Sequence, residues 1–159
     1  MRSNNDVWKA AGFGVLAGMR TLTAPAFLAH ELSRKPSRRL KRALPGLTSK
    51  RVSQRLRVLA LGEMVADKSP KALPRIDRRL IGGRVIAGAI TGAAVSRDRK
   101  GARLGFAIVG AAAAIASSYF FYGFRSLVSG RLRVPNLVAG LFEDGLAIAL
   151  GSRLTQHLR

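Results

Sequence analysis

The chain has 159 residues, with 28 Lys and Arg against 8 Asp and Glu, a formal charge of +20. Hydrophobic residues make up 48% and there are no cysteines, which excludes disulfides and thiolate metal sites. So basic a balance first suggests nucleic acid, yet the cations stand in short blocks between long Ala/Gly/Leu/Val runs. A soluble basic domain would interleave the two at helical or strand period, so the reading turns from nucleic acid to membrane.

The first predicted segment runs from about Val7 to Leu32. Asn5 or Asp6 can cap it, and Trp8 with Lys9 suits a membrane interface. Arg20 interrupts the apolar run and no convincing small-x-small cleavage site follows, so the stretch reads as a retained first helix, not a signal peptide. Ala10, Gly14 and Gly18 recur every fourth residue, a small-residue face on which another helix can approach closely. Pro25 is expected to kink this helix and free a backbone carbonyl.

A basic block from Ser33 to Arg57 follows, carrying Arg34, Lys35, Arg38, Arg39, Lys41, Arg42, Lys50, Arg51, Arg55 and Arg57. It can be an anionic-lipid or nucleic-acid patch, or a cytoplasmic loop placed by the positive-inside rule; the second is favoured because such loops carry this bias as a class. The next segment, about Val52 to Asp67, contains LALGEMVADKSP. Glu63 and Asp67 are four apart and share one helix face. Its apolar core is shorter than the roughly 20 residues of a comfortable span. It therefore needs snorkelling arginines, a tilt, or burial as a half-helix.

Ser69 to Arg79 reads as a loop with two prolines. Leu80 to Val95 is a third apolar segment, whose Gly88 and Gly92 form a GxxxG packing face with Arg84 one turn earlier. After the basic loop Ser96–Arg103 comes Leu104 to Phe124, 21 residues without a charge, ending in Tyr119, Phe120, Phe121 and Tyr122. This is the pattern of a transmembrane helix with an aromatic belt. The last segment, Val134 to Leu150, has Pro135 at a first-turn position and Glu143 with Asp144 near its centre. A central Asp costs about 2.5–3.5 kcal/mol on insertion scales, which calls for a partner or a function.

Gly18-Met19-Arg20 is echoed by Gly123-Phe124-Arg125, and each is followed by a segment with two acids. One reading is an inverted repeat of the kind small transporters use; the other is chance similarity. Loop charge, with five spans, places the N-terminus outside and the C-terminus inside. The basic residues between Lys71 and Arg79 weigh against that orientation, and a re-entrant second segment would change it.

These same residues carry a resemblance. GEMVADKSP followed by GRVIAGAITGA, with AGMRTLTAP upstream and YGFR and VPNLVAGLFEDGLAI downstream, resembles an uncharacterised family of small integral membrane proteins of bacteria and some plant organelles, described only as a domain of unknown function. The similarity covers nearly all the chain apart from Ser33–Lys50. The linker SPKALPRIDRR matches the family's proline-rich linker only loosely. The resemblance implies a membrane fold with a shared polar centre, and no established activity.

The expected fold is therefore an all-α polytopic bundle of four to five transmembrane or half-membrane helices, a single domain in the cell's inner (plasma) membrane. Its candidate substrate- or ion-binding centre is Arg20, Glu63, Asp67, Lys68, Arg84, Arg125, Glu143 and Asp144. These charges can simply neutralise one another and fix helix register. They can also form a site where a carboxylate exchanges a proton or cation while an arginine holds an anionic group. Oxygen ligands suit Mg²⁺ or Ca²⁺, but the surrounding cations oppose a metal, and His30 and His157 have no zinc spacing. No nucleophile-histidine arrangement or phosphate loop is present, so no enzyme and no cofactor is expected. The expected function is a channel or ion/proton-coupled transporter. The alternatives are a non-catalytic membrane subunit in a larger complex, or an anionic-lipid-binding protein. Expected partners are membrane lipids, with anionic headgroups at the basic loop, and further copies of the chain or a membrane complex.

Overall fold

The computed structural model describes residues 2–34, 38–67, 77–96, 102–131 and 135–156. Its elements are α1 (Arg2–Met19), α2 (Thr23–Arg34), α3 (Arg38–Ala43), α4 (Lys50–Ala66), α5 (Arg78–Val95), α6 (Arg103–Arg131) and α7 (Asn136–Gln156). The protein is an all-α bundle, with no strand among the described residues.

The core is built where small residues let backbones meet. A side chain on Gly14 would collide with the Gly110 carbonyl and Ala113, and one on Gly18 with the Ala114 carbonyl and Ser117. On the same stretch of α6, Gly88 of α5 faces the Gly110 carbonyl and Ala114, and Gly92 faces the Phe106 carbonyl. The two small-residue faces read from the sequence thus both pack on α6. Close approach of this kind brings whole backbones into dispersion contact and needs no large side chain. Phe13, Leu16, Ala17, Met19, Leu28 and Ala114 fill the centre, each at most 1% exposed.

The same contacts fix helix direction. On α1 and α6, residue numbers rise together (14 with 110, 18 with 114 and 117), so these helices run parallel. On α5 and α6 they run oppositely. Gly12 meets Leu154 while Arg20 meets Asp144, so α1 and α7 are antiparallel. Gly151 then meets Phe27, so α2 has turned back alongside α7.

Several expectations change at this point. The segment from Val7 to Leu32 is a helical hairpin, α1 and α2, joined at Arg20–Leu22, and not one helix kinked at Pro25. Pro25 lies in the first turn of α2, where its missing N–H costs nothing. The extra reversal brings the start of α1 and the end of α7 to one end of the bundle, which overturns the opposite placement of the two termini. Among the described residues the bundle has six helices of twelve residues or more, α1, α2 and α4 to α7, where the expectation was four to five transmembrane or half-membrane helices. The parallel run of α1 and α6 also overturns the inverted repeat built on Gly18-Met19-Arg20 and Gly123-Phe124-Arg125, because inversion would make them antiparallel. The basic block is no simple loop, since its ends lie in α2 and α4 and its middle contains α3. The apolar segment expected to end at Phe124 continues as α6 to Arg131.

Among the described residues one helix, 103–130, is long and apolar enough to cross a membrane, with a mean hydropathy of 1.8 over its best stretch. The other long helices are shorter or carry charges within their runs.

Candidate functional site

At the α1–α2 turn the chain must leave one helix and begin another, which strands carbonyls of the first and N–H groups of the second. Arg20 N closes α1 on the Leu16 carbonyl at 2.9 Å. From α6, Ser117 Oγ donates to the Val15 carbonyl at 2.8 Å, and Ser118 Oγ, 2.7 Å from the Ala114 carbonyl of its own helix, shares its proton with the Gly18 carbonyl at 3.2 Å. The N–H groups are met from α4: Thr21 N donates to Glu63 Oε1 and Leu22 N to Glu63 Oε2, each at 2.8 Å. Glu63 is thus a two-handed clamp on the turn just ahead of α2, where the helix dipole also favours a negative charge.

Arg20 itself is 2% exposed and reaches out from the turn between two acids. Its Nη1 donates to Asp67 Oδ2 at 2.9 Å, and its Nη2 donates to Asp144 Oδ1 in a short charge-assisted bond. One guanidinium therefore ties the end of α4 to the middle of α7. Arg125 of α6 lies on the outer side, with Nη1 3.8 Å from Asp67 Oδ2 and 3.9 Å from Glu143 Oε2. Gly140 makes room for it: a Cβ there would lie 3.0 Å from Arg125 Nη2. Glu143 and Asp144 are both buried. Arg84 is buried on α5, one residue beyond Gly83, whose added Cβ would sit 3.5 Å from Thr21 Cγ2.

The structure brings together Arg20, Glu63, Asp67, Arg125, Glu143 and Asp144, and sets Arg84 beside the turn. Lys68 lies outside the described residues, as does His157. Glu63 departs from the arginine partnership expected of it, because its carboxylate is taken up by backbone N–H groups. Where a cation would bridge Asp67 and Asp144, the Arg20 guanidinium already stands, and no three of His, Asp and Glu converge as a metal site among the described residues. Residue-by-residue reading missed the Thr21 and Leu22 N–H groups. The signal for them was Thr-Leu-Thr-Ala-Pro, two cap-forming threonines just ahead of a proline, which marks a helix start.

Chemically, the centre is a buried ion-pair relay fixed to a helix break. Its charges come from three helices, α4, α6 and α7, and the α1–α2 turn, so any change in the protonation or pairing of one carboxylate acts on these helices and on the start of α2 together. Compared with known protein families, curated proteins and solved structures, the chain matches none.

Proposed function

We propose that this protein is a small multi-pass membrane protein of the plasma membrane that works as a channel or as an ion- or proton-coupled transporter. The polar centre at the α1–α2 turn is its coupling site. The observation that carries the reading is a helix break whose freed backbone N–H groups and buried Arg20 are held by carboxylates from two other helices. Interrupted helices with charged groups at the break are the recurring coupling device of membrane transport. The apolar outer surface supports the setting: Val58, Leu61 and Val65 of α4, Leu104 and Phe120 of α6, and Phe142 of α7 are all more than 60% exposed. So broad an apolar exterior marks a membrane or protein-contact surface. The motif resemblance to small integral membrane proteins agrees with it.

Both termini would face the cytoplasm, since the helix directions put Arg34, Lys50, Arg51, Arg103 and Arg153 at the same end of the bundle as the start of α1 and the end of α7. The absence of native cysteines makes the test clean. Single cysteines at position 3 and near position 156 should be labelled by an impermeant maleimide from the same side of the membrane. Labelling from opposite sides would defeat the topology. For function, purified protein in liposomes with an imposed pH gradient should conduct protons or a co-substrate, and Asp67→Asn and Asp144→Asn should abolish that flux. Equal flux in wild type and both variants would return the centre to a structural role. Co-purification at fixed stoichiometry with a larger complex, without flux, would favour the subunit reading.

A further inference from the structure

A cavity of about 210 Å³ lies between α2, α4 and α7, apart from the ionic centre. It is walled by Ala26, Phe27, Ala60, Leu61, Met64 and Ile148, runs from Thr23 to His30 along α2, and is partly open. Its accessible wall is apolar throughout. Arg57 thus contributes its methylene stem to the wall, the usual way a long cationic side chain covers apolar surface. Seven residues of helix rise about 10 Å, so the space is elongated along α2. For scale, an apolar cavity of roughly 150 Å³ accepts benzene.

The two ends of the cleft differ in charge. His30 of α2 and Arg57 of α4 both line the cleft at the end away from Thr23 and Met64, their polar atoms lying outside its apolar wall. Arg34 follows His30 by four residues on α2, and Lys50 precedes Arg57 by seven on α4, so both continue the same helix faces toward the basic end. Along its side the cleft adjoins exposed Leu61 of α4 and Ile148 of α7. An elongated apolar slot opening on an apolar surface, with cations at one end only, complements an alkyl chain bearing an anionic head.

We propose that this cleft binds one acyl chain of an anionic phospholipid, with the lipid phosphate held by Arg57 and His30. The small side chains of Ala26 and Ala60 leave the room for the chain, and Arg34 and Lys50 add attraction for the headgroup. The proposal shares the membrane setting of the preceding reading but not its transport role. The bound lipid would fill the space between α2 and α4 and thereby stiffen the pair that holds Glu63 and Asp67.

The test uses the full chain purified in detergent, with native mass spectrometry and thermal unfolding read in parallel. Phosphatidylglycerol should bind one to one and raise the unfolding midpoint, and phosphatidylcholine of the same chains should bind about tenfold more weakly. Arg57→Gln, at an exposed position, should bring phosphatidylglycerol down to the phosphatidylcholine level. Ala60→Trp, which fills the slot, should abolish binding of both. Ile148→Ala, which widens the slot, should retain phosphatidylglycerol and reports on general damage to the site. Equal binding of the two lipids, unchanged binding in Arg57→Gln and Ala60→Trp, or full displacement by a free fatty acid would each overturn the proposal. Because the readout is binding and not flux, its failure leaves the transport reading to be judged by liposome assay alone.

Discussion

The two halves of the bundle are held by different physics. In α1, α5 and α6 the helices meet through Gly14, Gly18, Gly88, Gly92 and Gly110, backbone against backbone, with little space for adjustment. In α2, α4 and α7 a cavity separates the helices, and their contact is completed by Glu63, Asp67 and Asp144 acting on the α1–α2 turn. The first half is a scaffold with one packing solution. The second is joined by a few charges whose pairing can change, which is where a working part belongs.

The sharpest way to break this contrast is to insert a side chain into the scaffold. Gly110→Leu must drive a side chain into the Gly88 carbonyl and the Gly92 Cα. The expected cost exceeds about 4 kcal/mol, in the range where folding fails. Detergent-solubilised yield and a monodisperse elution profile measure it, and a well-folded variant would show that α5 and α6 can separate.

Next in size is Arg20→Met. It leaves Asp67 and Asp144 without the guanidinium between them, and removing one partner of a buried ion pair costs about 3–5 kcal/mol. The triple change Arg20→Met, Asp67→Asn, Asp144→Asn should recover much of that loss. Unfolding midpoints in detergent decide between charge imbalance and lost packing.

Glu63→Ala removes both acceptors for the Thr21 and Leu22 N–H groups. The expected loss is about 1–2 kcal/mol, the scale of a lost N-cap. Glu63→Gln keeps one oxygen acceptor and should fall between Ala and wild type. Amide hydrogen exchange at the start of α2 should rise in the same order, while α5 and α6 stay protected.

The smallest effect has the opposite sign. Gly123 of α6 has open space where a Cβ would go, unlike Gly110 on the same helix. Gly123→Ala should stabilise by about 0.5–1 kcal/mol through helix propensity alone. Gly88→Ala, by contrast, should destabilise, since its Cβ would press on the Gly110 carbonyl. Thermal unfolding of the two variants side by side tests whether the tight packing is confined to the scaffold.

Much of the candidate site was legible along the chain. An acid within an apolar run is conspicuous because burying it is costly, so Glu63, Asp67, Glu143 and Asp144 announce themselves, as do Arg20 and Arg125. The division of labour among them was not legible. Glu63 and Asp67 lie on one face of α4, one turn apart, and periodicity cannot tell that one meets backbone N–H groups and the other a guanidinium. The cleft was equally hidden, because its lining comes from three separated helices, and His30 drew notice only as a metal ligand without partners.

By itself the sequence determined the all-α character, the small-residue faces of α1 and α5, the long apolar α6 and the set of charges that need burial. Those follow from local period and composition, which every residue carries with it. The tertiary structure alone decided that the chain reverses at Arg20–Leu22, that α1 and α6 run parallel, and that Glu63 clamps the turn just ahead of the new helix. A helix break is stable only if its freed polar groups find partners, and here the partners come from α4 and α6. The turn is therefore specified by residues some 40 and 100 positions away in the chain.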